Sequence, residues 1–575
     1  MDQTRLFIAI VTSILILIVF QFLTPPAPRP VMPPVAALPA PVGAPLAPPV
    51  PAASQAAAPA VPKEVPRLKI EGPRVAGSIS LLGARLDDVV LRDYRETIDK
   101  YSPLVRVLEP RSEEHPYYVQ FGWSAGPGTQ IKLPDNDTLW TGTGEVVPGK
   151  PAVLSWDNGE GQTFEITVAI DDNYMFSVQQ RVHNAGSQPV SLYPWSRIRR
   201  DYTPQTAGYY ILHEGLLGVL GGTLKEQTYP KVKSEGEKKA GVGFESTGAG
   251  GWAGITDKYW LVALVPDQET TEKAAFRHFS DAGQDRYQVD FVANTPQTID
   301  PGGEATVASR AFAGAKEVNL LDRYESRDHI PLFSYAVDWG WFWFLTKPFF
   351  IALDWLYGVF GNFGVAIIVF TILLKAVFFP LANKSYRSMS KMKLLAPKMA
   401  ALKEQYKDDP AKLQSAMMGL YKAEKVNPAS GCLPMLVQIP AFFSLYKVIF
   451  ITIEMRQAPF FAWIHDLSAV DPTNVFNLFG LIPYDPAQIS GFLHLGVWPL
   501  VMGVTMYFQQ KLNPPPPDPV QAKIFQWMPV MFTFMLANFP AGLVIYWTWN
   551  NLLTIGQQWL ILRQTTLDKP RLART

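Results

Sequence analysis

Apolar and polar residues alternate along much of the first half of the 575-residue chain. The segment 164–170 reads Phe-Glu-Ile-Thr-Val-Ala-Ile, residues 171–173 form an Asp-Asp-Asn turn sequence, and apolar residues then recur at 174, 176 and 178. A period of two is typical of strands with one buried face, so these segments predict a β-hairpin. Similar short stretches follow between turns. Residues 69–328 are therefore predicted to form one large antiparallel β-sandwich.

The second half changes to long apolar segments. Residues 329–357 are rich in aromatic residues. Because Trp and Tyr favour the headgroup zone, this segment predicts an interfacial amphipathic helix. Residues 358–563 form a predicted core of five spans, and 564–575 a basic tail. A bilayer core about 30 Å thick needs roughly 20 apolar residues. The predicted spans are 359–379, 433–453, 493–508, 525–537 and 541–562, with 476–482 as a competing apolar segment.

Two further segments precede the predicted sandwich. Residues 1–24 contain an apolar run, 6–23, that exceeds a usual signal-peptide core, so they predict an uncleaved transmembrane anchor; a cleaved signal is the alternative. Residues 25–68 form a Pro/Ala-rich linker, since 25–66 hold 15 prolines and 12 alanines. Such a composition cannot bury a core and acts as a semi-rigid spacer. With the anchor, the chain has six predicted spans.

Charge predicts the orientation of these spans. Segment 384–425 carries ten basic and four acidic residues, whereas segment 456–488 carries one Arg and three Asp. Because short basic loops stay in the cytoplasm, the first segment is predicted to lie inside and the second outside. Both termini are then cytoplasmic and the β domain is on the outer side.

Composition excludes several kinds of function. The net charge is +1, so no basic field indicates nucleic-acid binding. A single cysteine, Cys432, excludes an intramolecular disulfide, and seven scattered histidines give no zinc motif. We expect no metal, no cofactor and no catalytic residue.

Polar residues inside the predicted spans indicate a hydrophilic interior. Lys375 lies four residues after Thr371, and a lysine at mid-bilayer costs about 2.5 to 3.5 kcal/mol unless water or a partner meets it. A wet cavity and snorkelling to the nearby cytoplasmic surface are equally good interpretations. Polar residues on other spans favour the cavity, although hydrogen bonds between helices are an alternative. The predicted substrate groove consists of Lys375, Thr371, Gln438, Asn551 and Thr554, whereas Lys447 is expected to snorkel outward.

The segment 384–425 predicts a cytoplasmic helical hairpin. Apolar residues at 392, 395, 399, 402 and 406 follow the spacing of an a/d seam, and Asp408-Asp409-Pro410 interrupts it. The hairpin either packs on itself against anionic lipid or docks a ribosome or targeting factor. The predicted docking residues are Lys384, Lys391, Met392, Met399, Lys403, Lys422 and Lys425.

Several motifs of the membrane half resemble the YidC-type membrane protein insertases. They are Pro397-Lys398, the run 421–428 (Tyr-Lys-Ala-Glu-Lys-Val-Asn-Pro), Gly431-Cys432, Pro434, Gln438, Pro440, Ala458-Pro459-Phe460, Asp466-Leu467-Ser468, Pro540, Gly542-Leu543-Val544 and Asn551. Their order covers the whole membrane half. The anchor, linker and β domain resemble the long bacterial inner-membrane form with a large periplasmic domain.

The resemblance implies a function for the chain. Such proteins insert and help fold inner-membrane proteins, alone or with the Sec translocon, through a hydrophilic groove open to cytoplasm and lipid, and they use no cofactor and are not enzymes. It also implies a supersandwich fold for the periplasmic domain, and nascent membrane proteins as partners. The positive charge in the groove of this family is commonly an arginine. Lys375 keeps the positive charge but lacks the planar guanidinium that can bind a carboxylate through two hydrogen bonds. The rival hypotheses are a secondary transporter that uses Lys375 and an anchored sugar-binding or sugar-modifying enzyme.

Overall fold

The computed structural model describes residues 65–567, apart from 207, 209, 210, 282, 408, 425, 427–432, 485, 487–492 and 514–518. Every described residue belongs to one compact unit, 48–575. The predicted anchor, most of the predicted linker and the chain beyond 567 lie outside the described residues.

The first part of the described chain is built from nineteen β-strands. Their bounds are β1 Arg67–Glu71, β2 Val75–Ser80, β3 Arg85–Arg95, β4 Leu104–Leu108, β5 Tyr117–Ala125, β6 Thr141–Thr143, β7 Ala152–Asp157, β8 Gln162–Ile170, β9 Met175–Asn184, β10 Val190–Arg200, β11 Gly215–Leu220, β12 Thr223–Thr228, β13 Val242–Ala249, β14 Trp252–Thr256, β15 Trp260–Val265, β16 Thr271–Asp281, β17 Gln284–Ala293, β18 Gln297–Ile299 and β19 Glu304–Ala315.

These strands form two antiparallel sheets. The first has ten strands, with β1-β2-β3-β5-β10-β17-β16-β13 in order, β4 beside β3 and β18 beside β10. The second has nine strands in the order β12-β11-β14-β15-β19-β9-β8-β7-β6. Apolar residues of both sheets, among them Trp123, Phe164 and Phe276, belong to one buried core.

The alternation over 164–170 gives the expected hairpin. Strand β8 buries every second residue, and it pairs with β9 in a register that places Ile170 opposite Phe176. The buried residues face the core because successive side chains of a strand point to opposite faces. Two helices accompany the sheets, α1 at Tyr229–Lys238 and α2 at Val318–Arg327, and a 3-10 helix follows at Phe333–Ala336.

The remaining described residues are mainly helical. The helices are α3 Trp343–Phe360, α4 Phe363–Val377, α5 Phe379–Gln405, α6 Pro410–Ala423, α7 Leu433–Ile451, α8 Val497–Leu512, α9 Pro519–Leu536 and α10 Ala541–Leu567, with 3-10 turns at Ile453–Met455 and Val475–Gly480. A sheet-rich part followed by helices is the order that the sequence pattern predicts.

Helices α4 and α7 are shorter than the predicted spans 359–379 and 433–453, whereas α9 and α10 are longer than theirs. The segment 359–379 contains a helix of only 15 residues, α4, and the chain bends by 67° before α5. Within the part of the chain that the structure describes, none of the helices is by itself both long and apolar enough to cross a bilayer. Helix α4 and the first part of α5, taken together as a bent pair, are long and apolar enough. The cytoplasmic hairpin begins with α5 at Phe379, five residues before the predicted start.

Candidate functional site

Lys375 lies in the last turn of α4 and points toward α10. Its Nζ donates a hydrogen bond of 2.9 Å to Thr554 Oγ1. Thr554 in turn donates to the carbonyl oxygen of Asn550 in its own helix, at 2.7 Å. Among the described residues no carboxylate lies within 4 Å of Lys375. The lysine is therefore held by a neutral hydroxyl and keeps an uncompensated charge.

A cavity of about 40 Å³ opens beside Lys375. Its walls come from α4, α5, α7 and α10, and its lining residues are Thr371, Leu374, Lys375, Phe378, Leu381, Ala382, Tyr386, Gln438, Ala441 and Asn550. A space of this size holds at least one water molecule, since one probe sphere needs about 10 to 15 Å³. Five of the ten lining residues carry polar side chains and five are apolar, so the cavity is only partly polar.

Two of the other predicted groove residues line the same cavity. Thr371 is buried, with 1% of its surface exposed, and its Oγ1 donates to the carbonyl oxygen of Ile367 at 2.6 Å. Gln438, on α7, donates from Nε2 to the hydroxyl of Tyr546 on α10 at 2.5 Å. The hydrogen bond from Gln438 ties two walls of the cavity together.

The last two predicted groove residues occupy different places. Thr554 contacts Lys375 directly. Asn551 instead turns toward α8, where its Nδ2 donates to Thr505 Oγ1 at 3.2 Å, and it does not line the cavity. Its neighbour Asn550 takes the position in the wall.

Sequence reasoning missed Tyr386 and Tyr546. Tyr386 belongs to α5, which the sequence assigns to the charged hairpin, yet it lines the cavity beside Lys375. A buried phenol needs a partner, so a tyrosine seven residues after the predicted end of a span is the signal that could have identified it. Tyr546 shows no such signal, because it lies in an aromatic stretch of α10.

The hairpin of α5 and α6 packs along its apolar seam. Leu395 is buried, and Met392 and Met399 are half-buried. Tyr421 contacts the sulfur of Met399 at 3.9 Å, and Lys398 pairs with Glu424 at 2.7 Å. The lysines of the predicted docking set lie on the outside: Lys384, Lys391, Lys403 and Lys422 are exposed. Lys425 lies outside the described residues.

Lys447 does not snorkel outward, contrary to the expectation from sequence. It is 8% exposed, and its Nζ forms an ion pair of 2.7 Å with Asp338 and donates to the carbonyl oxygen of Ile211. Asp338 also accepts from the backbone N–H of His213 at 2.9 Å. Because Ile211 and His213 belong to the sheet domain, Lys447 joins that domain to α7.

Further contacts surround this junction. Lys258 of the sheet domain places its Nζ 3.6 Å from the ring centre of Phe450 on α7, and burial lowers its pKa to about 8. Glu454, after α7, accepts from the backbone N–H of Val318 at 2.9 Å, while its buried Oε2 has no partner among the described atoms. Burial raises the pKa of Glu454 to about 8. Arg456 donates to the carbonyl oxygen of Arg95 at 2.6 Å.

The fold and the cavity define a chain with a β domain packed on apolar helices that enclose a lysine-bearing polar site. The family model described as "YidC periplasmic domain" matches residues 67–352, and the model "60Kd inner membrane protein" matches residues 355–569. The nineteen strands fall within the first range and α4 to α10 within the second, while α3 crosses the boundary between them.

Relatives extend this similarity over the full length. A protein of Granulibacter bethesdensis named "Membrane protein insertase YidC" is 59% identical over 583 residues, covering 100% of both chains. A protein of Acidiphilium cryptum with the same name is 57% identical over 509 residues, covering 87% of this chain and 85% of the relative. The chain therefore belongs to the YidC family of membrane protein insertases. The transporter hypothesis finds no support in these similarities.

A solved structure titled "Active YidC insertase crystal structure with the first transmembrane domain resolved" aligns over 86% of this chain and 94% of its own, with 19% identity and a TM-score of 0.34. That score is too low to support an inference about the fold.

Proposed function

We propose that this chain inserts and helps fold inner-membrane proteins, with the cavity beside Lys375 as part of a hydrophilic groove open to cytoplasm and lipid. The observation that carries the proposal is the hydrogen bond from Lys375 to Thr554 without a carboxylate nearby among the described residues. A cation in a partly dry site attracts an anionic partner strongly, because the local dielectric screens it less than water does.

The proposed step begins with a client's short acidic or polar tail. The tail enters the groove toward Lys375, while Thr371, Gln438 and Thr554 supply polar partners in place of water. Asn551, which donates to Thr505, holds α10 against α8 beside the groove. The apolar segment of the client then moves along the helices into lipid. Its burial supplies about 0.8 kcal/mol per CH2 group, so the step requires neither nucleotide nor cofactor and breaks no covalent bond.

The proposed topology follows the charge of the loops. Six spans place both termini in the cytoplasm and the sheet domain, as a supersandwich, in the periplasm. Helix α3 lies along the periplasmic interface, where its exposed Trp343, Phe344 and Trp355 would meet headgroups. Of the sequence-based divisions, the anchor at 1–24 and the insertase core at 358–563 belong to this proposal, as does the linker predicted at 25–68 up to the start of β1 at Arg67.

The proposed partners act at two places. Nascent membrane proteins bind the groove, alone or delivered by the Sec translocon. A ribosome or targeting factor, or anionic lipid, meets the exposed lysines of the hairpin, Lys384, Lys391, Lys403 and Lys422. Because the apolar seam of the hairpin is packed, the surface is formed before a partner binds, and binding costs little conformational entropy.

Insertion into vesicles that contain only this protein tests the groove. Lys375→Ala is expected to reduce insertion of a client with an acidic tail, and Lys375→Arg to retain most of it. Lys511→Ala is the matched control, because Lys511 ends α8, is exposed and does not line the cavity. Full activity of Lys375→Ala would refute an essential role for this charge.

Crosslinking during synthesis of a small membrane protein tests the path. Photoreactive groups at Thr371 and Gln438 should capture the nascent chain, while one at Leu413, in the hairpin seam, should not. Absence of adducts at both cavity positions would count against the insertase groove.

A further inference from the structure

The connection between α7 and α8 contains an uncharged stretch that takes no part in the cavity. No charged residue occurs from 472 to 484, and the apolar loop is defined here as residues 475–484. Its large side chains all lie on the surface, with exposed fractions from 39% to 82%: Phe476, Leu478, Phe479, Leu481, Ile482 and Tyr484. Contiguous apolar surface of this kind marks contact with a partner or with lipid.

Several backbone polar groups of the apolar loop have hydrogen-bond partners within the loop or directly beside it. The backbone N–H of Phe479 donates to the carbonyl oxygen of Asn474 at 2.9 Å, and that of Ile482 donates to Asn477 at 3.1 Å. The Asn477 side chain accepts from the backbone N–H of Gly480 at 3.0 Å and donates to the carbonyl oxygen of Tyr484 at 3.3 Å. Water would satisfy these groups in an exposed loop, whereas a segment in lipid must satisfy them itself.

Two bulky residues of the loop adopt an unusual backbone conformation. Leu478 has φ of 51° and Phe479 has φ of 60°, in the left-handed region that residues with large side chains rarely occupy. Both side chains are more than half exposed. The fold therefore maintains a strained turn whose two central apolar side chains face outward.

The apolar loop continues the exposed apolar face of α8. Val501, Val504 and Phe508 lie on one side of α8 and are exposed. The loop is fastened at the start of this helix, because the backbone N–H of Val475 donates to the carbonyl oxygen of Leu495 at 2.9 Å. Helix α8 has 16 residues and a length of about 24 Å, which is about 6 Å short of a bilayer core. An apolar segment at its beginning would supply the missing contact with lipid.

We propose that the apolar loop inserts into the bilayer leaflet on the side of the sheet domain, beside α8, and anchors that end of the helical region. The inference rests on the proposed function, which places these helices in a membrane. Since the loop carries no charge, the partner it fits is the acyl region of the leaflet, and zwitterionic lipid is sufficient.

Depth-dependent fluorescence quenching tests the insertion. The full chain, with Cys432→Ser, receives one new cysteine at a time, carries an environment-sensitive dye and is placed in phosphatidylcholine vesicles with brominated acyl chains. Phe479→Cys is expected to be quenched as strongly as Val504→Cys on α8. Ser187→Cys, in the exposed turn between β9 and β10, is the matched aqueous control and should be unaffected.

Quenching at Phe479→Cys as weak as that at Ser187→Cys would overturn the inference. A dye response at Phe479→Cys that appears only after a client protein is added would also overturn it, in favour of a protein partner. If Val504→Cys is unquenched as well, the membrane placement itself fails, and the proposed function fails with it. Quenching at Val504→Cys but not at Phe479→Cys leaves the proposed function intact and rejects only the insertion of the apolar loop into the leaflet.

Discussion

Two lysines in the helical region, the buried Lys447 and the half-buried Lys375, differ in their partners. Lys447 on α7 has a carboxylate partner, Asp338, and fastens the sheet domain to the helices. Among the described residues, the side-chain partner of Lys375 on α4 is the Thr554 hydroxyl, and Lys375 lines a cavity. The ion pair makes Lys447 a structural joint, whereas under the proposed function Lys375 is the charge that attracts an anionic client. The partner of each lysine separates the joint from the proposed groove.

Removing the joint should have the largest effect on stability. Lys447→Ala leaves Asp338 as an uncompensated charge, since breaking a buried pair costs about 3 to 5 kcal/mol. We expect a lower free energy of unfolding in mixed micelles and faster proteolysis near residue 338.

Asp338→Asn is the matched variant on the other side of the pair. It should destabilise the chain less, because the amide still accepts from the backbone N–H of His213. A change of under about 1 kcal/mol for Lys447→Ala would show that the pair contributes little, as exposed pairs do.

Glu454 should make the same junction sensitive to pH. Its folded pKa of about 8 exceeds the ordinary value of 4.5, because burial disfavours the carboxylate and Glu317 and Asp354 lie nearby. The folded state then keeps a proton that the unfolded chain releases between these values. The free energy of unfolding should therefore fall as the pH rises from about 4.5 to about 8, by up to about 1.4 kcal/mol per pH unit.

Thermal unfolding of the solubilised full chain at a series of pH values measures this slope. Glu454→Gln keeps the hydrogen bond to the backbone N–H of Val318 and cannot titrate, so its slope should be smaller in that window. Equal slopes for Glu454→Gln and the unchanged chain would assign the pH dependence to other groups.

Lys375→Met should change stability little, in contrast with Lys447. Methionine fills a similar volume, removes an unpaired cation and leaves Thr554 bonded to the Asn550 carbonyl oxygen. We expect a free energy of unfolding equal to that of the unchanged chain or higher by about 1 kcal/mol, together with weaker insertion of acidic clients. A loss of about 3 kcal/mol would contradict the contrast, since Lys375 would then be structural too.

Local patterns predict the strands and helices but not which side chains meet. The hairpin of β8 and β9 follows from alternation over a few residues, since the period of a strand is local. The stripe on α10 predicts polar contacts, yet neighbouring residues differ by about 100° around a helix, and packing against α8 decides that Asn550 rather than Asn551 lines the cavity.

The sequence does not predict the ion pair between Lys447 and Asp338, because no local pattern relates the two residues. The two residues are 109 positions apart, and Asp338 stands in an aromatic segment with no periodicity that fixes its direction. Hydropathy treats Lys447 and Lys375 alike because both follow apolar runs. Only the packing of the sheet domain on α7 separates them.

The smallest effect on stability is expected at the hairpin, where a third lysine forms a solvent-exposed ion pair. Lys398 forms an ion pair of 2.7 Å with Glu424, but its side chain is 62% exposed, so water and salt screen the attraction. Lys398→Ala should lower the free energy of unfolding by at most about 0.5 kcal/mol, and the difference should shrink further at high salt. Unfolding of the variant at low and high ionic strength measures this, with Lys391→Ala as the matched exposed lysine. A salt-independent loss of more than about 2 kcal/mol would show that Lys398 holds α5 and α6 together, as Lys447 holds the sheet domain on α7. An exposed ion pair would then be as structural as the buried one, and the kind of partner would not explain the difference between Lys447 and Lys375.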